Sequence, residues 1–220
     1  MTGGHVRQSQ DAQQNETGIA TDAPVEPEEQ ARADIYALIA GMLYAPPDAA
    51  MLASLACAGD KPGEHAGHPL DRAWERLTLA AGLMDEAALA MEFNALFISV
   101  GTPKINPYGS LYLAGFLNEK PLAALRADLA RLRLARAPGV YEMEDHLGAL
   151  CEAMRLLITG GPGGIPHPLE TQRQFFDKHI APWYRRCLQD IRAADEANFY
   201  RLVADFAQAF LEVEAEAFEL

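Results

Sequence analysis

An acidic cluster with one histidine stands at residues 141–146, which read YEMEDH. In a helix, Glu142, Asp145 and His146 would share one face, because positions i, i+3 and i+4 lie on the same side. Two carboxylates so placed can hold a guanidinium group by paired hydrogen bonds, with the imidazole as a titratable neighbour. Acidic residues in a first helical turn also stabilise the helix dipole. The cluster therefore predicts either a cation-binding site or a charged helix start.

A second cluster places two aromatic rings beside a hydroxyl. Tyr108 and Ser110 lie in the Gly- and Pro-containing segment 101–110, and Tyr112 follows just after it. Gly and Pro predict a loop here, with a helix beginning near Leu111. Aromatic rings on a loop can form a contact surface for a peptide. Packing of both tyrosines in the core explains the pattern equally well.

The patterns that would support catalysis are incomplete. The glycine-rich segment 160–164 lacks the Lys-Ser/Thr pair of a phosphate-binding loop, and no Gly-x-Ser-x-Gly elbow occurs. His65 and His68 beside Glu64 supply too few ligands for a transition-metal site. No Glu-x-x-His pair of a di-iron bundle is present. We therefore predict a protein that is not an enzyme and that holds no metal.

Composition indicates a globular protein with an acidic surface. The 220 residues include 31 acidic and 18 basic residues, for a formal net charge of −13. Nucleic-acid binding depends mainly on Lys and Arg, and anionic membranes attract the same residues, so both partners are disfavoured. A basic partner is favoured by charge.

The first 30 residues predict a disordered acidic tail, since they carry six acidic residues and one basic residue without a helical period. They show neither the apolar segment nor the cleavage pattern of a signal peptide, and no apolar run reaches the length of a membrane span. Three widely spaced cysteines predict free thiols rather than disulfides. A cytoplasmic protein without a membrane span is the expectation.

Almost all of residues 31–220 shows helical periodicity, and no stretch alternates like a half-buried strand. We predict an all-α fold, a single globular bundle of about nine or ten helices. One helix is expected from about 120 to 135 and another from near Glu142 to Ile158. A Gly/Pro-rich, hinge-like linker is expected at 159–168 between the later helices.

The sequence resembles the TorD/DmsD family of redox-enzyme maturation chaperones. The most diagnostic family motif, Glu-Pro-x-Asp-His, corresponds to residues 142–146, where Met143 replaces the proline. Weaker motifs follow the family order over residues 32–212. They are Phe93 to Phe97, Pro107 to Tyr112, Leu125-Arg126, Phe175 with His179 to Trp183, and Phe199-Tyr200.

The resemblance implies a TorD-like chaperone that binds the twin-arginine leader, or the apo form, of a molybdopterin-containing oxidoreductase. Such a protein holds its client in the cytoplasm until cofactor insertion is complete, before export. Carried over by position, the implied leader-binding residues are Tyr108, Ser110, Tyr112, Glu142, Asp145 and His146. Some members bind guanine nucleotides weakly, and the protein is expected as a monomer or a domain-swapped dimer.

Three alternatives remain from the sequence. In the first alternative, the client is a nitrate-reductase-type molybdoenzyme subunit that is not exported. The second is a nucleotide hydrolase acting at Glu142–His146, although no phosphate-binding loop supports it. The third is a DNA-binding helical regulator, supported only by the arginines of the helix at 120–136.

Overall fold

The computed structural model describes residues 25–59, 67–98, 102–137, 142–161 and 164–219. Within these ranges the chain forms ten α-helices, and the fourth continues into a π-helical turn at Asn94–Ile98. The helices are α1 Pro27–Tyr44, α2 Ala49–Ala58, α3 Pro69–Ala81, α4 Glu86–Phe93, α5 Gly109–Ala114, α6 Lys120–Arg131, α7 Leu147–Thr159, α8 Leu169–His179, α9 Tyr184–Ala193 and α10 Phe199–Glu219.

The predicted all-α bundle is confirmed, while three boundaries differ from the sequence-based expectation. Helix α1 begins at Pro27, so residues 27–30 are helical rather than part of the tail. Helix α6 ends at Arg131 rather than near 135. Helix α7 begins at Leu147, not near Glu142. Residues 1–24 of the expected tail and 162–163 of the expected linker lie outside the described ranges.

Local side chains and prolines explain where several helices begin. The Asp48 carboxylate accepts a hydrogen bond from the Met51 amide, and Asp85 accepts from the amides of the residues two and three positions later. These bonds satisfy amides that have no partner within the helix. Pro27 and Pro69 each occupy a first helical position, where the missing N–H costs nothing.

The core forms where α1 lies along α7 and α10 packs against α3 and α9. Tyr36 of α1 is fully buried, and its ring meets the edge of the Phe210 ring of α10 at a centroid distance of 4.8 Å. Its hydroxyl donates to Glu214, a buried carboxylate that also accepts two bonds from Arg32 at 2.7 and 2.8 Å. The helix pair α1 and α10 is therefore joined by packing and by a hydrogen-bonded ion pair.

Another buried carboxylate, that of Glu92 in α4, caps the start of α10. Its side chain is 8% exposed and accepts from the amides of Asn198 at 2.8 Å, Phe199 at 3.2 Å and Tyr200 at 2.7 Å. A carboxylate also suits the positive end of a helix dipole. The start of the longest helix thus depends on a residue about one hundred positions earlier in the chain.

We expect Glu92→Ala to lower the free energy of unfolding by about 2–3 kcal/mol, because it leaves buried amides without acceptors. Urea denaturation followed by circular dichroism measures the change. Glu75→Ala, which removes an exposed carboxylate from the middle of α3, is the control and should change stability by less than about 0.5 kcal/mol. Equal midpoints for the two variants would refute the capping role.

Candidate functional site

The two clusters singled out in the sequence meet in the structure through their backbones. The Gly109 amide donates to the Asp145 carbonyl and the Leu147 amide to the Pro107 carbonyl, both at 2.8 Å. These bonds flank a single antiparallel bridge between Tyr108 and His146. The loop before α5 is thereby fixed against the turn before α7.

The acidic turn is not helical, which corrects the expectation that Glu142, Asp145 and His146 share a helix face. The backbone of His146 is extended, with φ −63° and ψ 136°, and His146 is the N-cap of α7. Its Nδ1 atom accepts the Gly148 amide at 3.1 Å. Because the imidazole supplies this cap, α7 begins after the motif rather than within it.

Asp145 and Ser110 face the interior. The Asp145 side chain is 3% exposed, and one of its carboxylate oxygens accepts the Ser110 amide, in the first turn of α5, at 2.7 Å. Ser110 itself is fully buried. In this arrangement Asp145 caps α5, and both residues are buried.

His146 is enclosed by two aromatic rings. It stacks on Tyr44, the last residue of α1, with ring centroids 5.2 Å apart, and meets the edge of the Tyr108 ring at 5.1 Å. Burial lowers the pKa of His146 to about 4, outweighing the opposite influence of the Glu142 and Asp145 carboxylates. The ring is therefore neutral at pH 7, with its proton on Nε2, since Nδ1 is an acceptor.

Among Glu142, Asp145 and His146, only Glu142 is half-buried rather than buried. The Tyr108 hydroxyl donates to its carboxylate. Burial, together with this bond and the charge of Glu142, raises the pKa of Tyr108 above its usual value. Glu142 is therefore held in place by a neutral phenol, and its charge is not cancelled by that partner.

Tyr112 does not join this group. Its hydroxyl donates to Asp190 at 2.9 Å, and its ring stacks on Trp183 at a centroid distance of 5.4 Å. The Arg186 guanidinium lies over the same ring at 6.0 Å. The structure thus separates Tyr112, which packs towards α9, from Tyr108, Glu142 and His146.

A mainly apolar groove of about 380 Å³ opens beside Glu142. Residues of α7 at helical spacing form one wall, and the end of α6 with the segment after it forms the other. The lining comprises Tyr44, Leu129, Leu134, Ala135, Arg136, Ala137, Glu142, Glu144, Ala149, Glu152, Ala153 and Leu156.

Three carboxylates line this groove, and two of them are already paired. Glu144 accepts from Arg126 at 2.8 and 3.0 Å, and Glu152 is bound by Arg155 one turn further along α7. Burial, and then nearby negative groups that include Glu152 and Glu142, raise the pKa of the Tyr44 hydroxyl. The groove therefore combines apolar walls with an acidic edge.

Sequence reasoning missed Tyr44, Glu152 and the small residues Ala149 and Ala153. The spacing of the three α7 residues, at i, i+3 and i+4, could have indicated a second face on that helix. Tyr44 gave no such signal, since it resembles any aromatic residue at a helix end. Its place at the groove follows only from the packing of α1 against α7.

Within the described residues, no three His, Cys, Asp or Glu side chains are placed to hold a metal ion together. Nor does any helix in those ranges have the length and apolar character needed to cross a membrane.

We expect the free energy of unfolding to fall as the pH is lowered from about 6.5 to 4, because burial lowers the pKa of His146 to about 4. Below pH 6.5 the unfolded chain binds a proton at this residue that the folded protein does not. His146→Asn keeps a capping oxygen and should make this loss shallower, as measured by urea denaturation at several pH values.

The control is His68→Asn, since His68 caps α3 through the same ring atom but is exposed. It should leave the pH dependence as in the wild type. The two variants are compared by the slope of the unfolding free energy against pH. Its absolute value is not comparable, because loss of the ring packed on Tyr44 lowers the stability of the His146 variant at every pH. Identical slopes for His146→Asn and the wild type would contradict the assignment.

A family match and a similar curated protein place the chain in the same family. Residues 64–189, more than half of the chain, match the family described as the nitrate reductase delta subunit. Over 135 residues the chain is 25% identical to the chaperone protein TorD of Aliivibrio salmonicida (strain LFI1238), a match that covers 58% of this chain and 63% of that relative. The chain thus spans less than two thirds of the relative's length. It belongs to the nitrate reductase delta subunit family, the family of TorD-type chaperones.

Proposed function

We propose that this protein is a maturation chaperone that binds the twin-arginine leader of a molybdopterin-containing oxidoreductase. It holds the client in the cytoplasm until the cofactor is inserted, before export. The observation that carries the proposal is the apolar groove with an acidic edge beside Glu142. Membership in a family that includes TorD-type chaperones supports the same role.

The groove suits such a peptide in two respects. A twin-arginine leader carries a basic pair followed by an apolar stretch, and the groove offers carboxylates beside apolar walls. Burial of apolar side chains contributes about 25 cal/mol per Å², reduced by the cost of ordering the peptide. Exposed charge pairs each add only about 0–1 kcal/mol. The apolar stretch therefore supplies most of the affinity and the charges supply the orientation.

Among the groove carboxylates, Glu142 is the one best placed to receive a client cation. Within the described ranges its side chain accepts from the Tyr108 hydroxyl and forms no ion pair, whereas Glu144 and Glu152 are paired with arginines. Binding a cation at Glu142 breaks no existing ion pair of its carboxylate. The family resemblance implies leader contacts from Glu142, Asp145 and Ser110 alike; because Asp145 and Ser110 are buried, they would support Glu142 from the interior.

A second candidate client is a nitrate-reductase-type molybdoenzyme subunit that is not exported. The matched family is described as the nitrate reductase delta subunit, which supports a client of this kind. The same groove would serve, and the difference lies in the client's N-terminal segment. Calorimetric titration with the leaders of the molybdoenzymes in the source genome, and with N-terminal peptides of the non-exported enzymes, separates the two. Binding to none of these peptides overturns the proposed function.

We expect Glu142→Gln to weaken leader binding about two- to fivefold at low salt and less at high salt, because one exposed charge contact is lost and salt screens it. The amide keeps the shape of the side chain and can still accept from Tyr108. Titration calorimetry at two ionic strengths measures the change. Glu75→Gln, an exposed site on α3, is the control. A loss of equal size at both ionic strengths would argue against recognition by charge.

We expect Ala149→Phe to lower leader affinity by about tenfold or more, because the added ring fills the groove that the apolar stretch would occupy. Ala88→Phe, at an exposed position on α4, is the matched control and should bind as the wild type does. Circular dichroism verifies that both variants are folded. A folded Ala149→Phe protein with unchanged affinity would place the peptide elsewhere.

A further inference from the structure

Two arginines of the chain itself approach the acidic turn at the groove. Arg126 of α6 donates two hydrogen bonds to the Glu144 carboxylate, at 2.8 and 3.0 Å. Arg136, in the segment after α6, donates from Nη1 to the backbone carbonyl of Glu142 at 3.3 Å. A pair of guanidinium groups therefore already lies against residues 142–144.

Arg136 is also part of the groove wall, together with its neighbours Leu134 and Ala135. It is the one cation among the described residues that line the groove. Burial alone would raise the pKa of the neighbouring Glu144 carboxyl, but the bonds and charge of Arg126, with a smaller influence from the charge of Arg136, lower it. The guanidinium of Arg136 thus stands where the apolar wall meets the acidic edge.

The two arginines are held with different strength. Arg126 makes two charge-assisted bonds to one carboxylate oxygen of Glu144, and the Glu144 side chain is only 16% exposed. Arg136 makes one long bond to a neutral carbonyl and is itself exposed. A single bond of this length at the surface contributes little to stability. Arg136 can therefore leave the turn while Arg126 stays.

We infer that Arg136 occupies the position of a client arginine, and that a guanidinium of the bound peptide replaces it at the Glu142 carbonyl, beside the Glu142 and Glu144 carboxylates that line the same groove. This inference rests on the proposed function and names the arginine subsite within it. The subsite combines a carbonyl and a carboxylate, an arrangement that suits the planar fork of a guanidinium better than the compact ammonium of lysine. Because one guanidinium replaces another, the exchange itself adds little affinity, and the apolar contacts decide the strength of binding.

The test compares Arg136→Gln with Arg133→Gln. Both residues are exposed and lie in the same segment after α6, and each change removes one positive charge. If Arg136 competes with the peptide, Arg136→Gln raises the affinity for a twin-arginine leader about threefold at low salt, while Arg133→Gln binds as the wild type does. Titration calorimetry with the leader and with a Lys-Lys version of it measures both.

The outcomes separate the inference from the proposed function. Binding by the wild type with equal affinities for the Arg136 and Arg133 variants overturns the inference alone. Weaker binding by Arg136→Gln also overturns it, since Arg136 would then contact the peptide directly. Failure of the wild type and of every variant to bind any leader overturns the proposed function, and the inference with it.

Discussion

The backbone pairing of Tyr108 with His146 is the constraint on which the site depends. It joins two segments that are nearly forty residues apart in sequence, and each segment leads directly into a helix, α5 or α7. Asp145 and His146 then act as caps, one for α5 and the other for α7. The motif that would be expected to bind a ligand therefore first builds the scaffold, and it leaves Glu142 at the edge of the groove.

The distribution of charge around the groove follows from this scaffold. Glu142 is oriented by a phenol rather than by a cation, and Glu144 and Glu152 are bound by arginines of α6 and α7. Although the protein has a formal net charge of −13, arginines neutralise two of the three carboxylates at the groove where a basic peptide would bind. Selectivity then depends on which contacts a ligand can exchange, and the total charge contributes mainly to the rate of encounter.

Helical periodicity predicted the fold well, because most helices bury one regular face, as α10 does with Val203, Phe206 and Phe210. The motif was harder to place. Its acidic residues fit a first helical turn, and nothing local indicates that His146 would use its own ring as the cap of α7. The approach of Tyr44 to His146 depends on the packing of α1 on α7, a contact between distant parts of the chain that periodicity in one sequence does not encode.

The two walls of the groove differ in how they are attached. The α7 wall belongs to the buried interface with α1, so its position is fixed by close packing. The opposite wall follows the end of α6, and its links to the acidic turn are an ion pair and a hydrogen bond, from Arg126 and Arg136. Salt weakens such links and leaves the packed interface unchanged. Salt is therefore expected to weaken the bonds that join this wall to the acidic turn, while Leu129 and Leu134 keep the wall packed against the core.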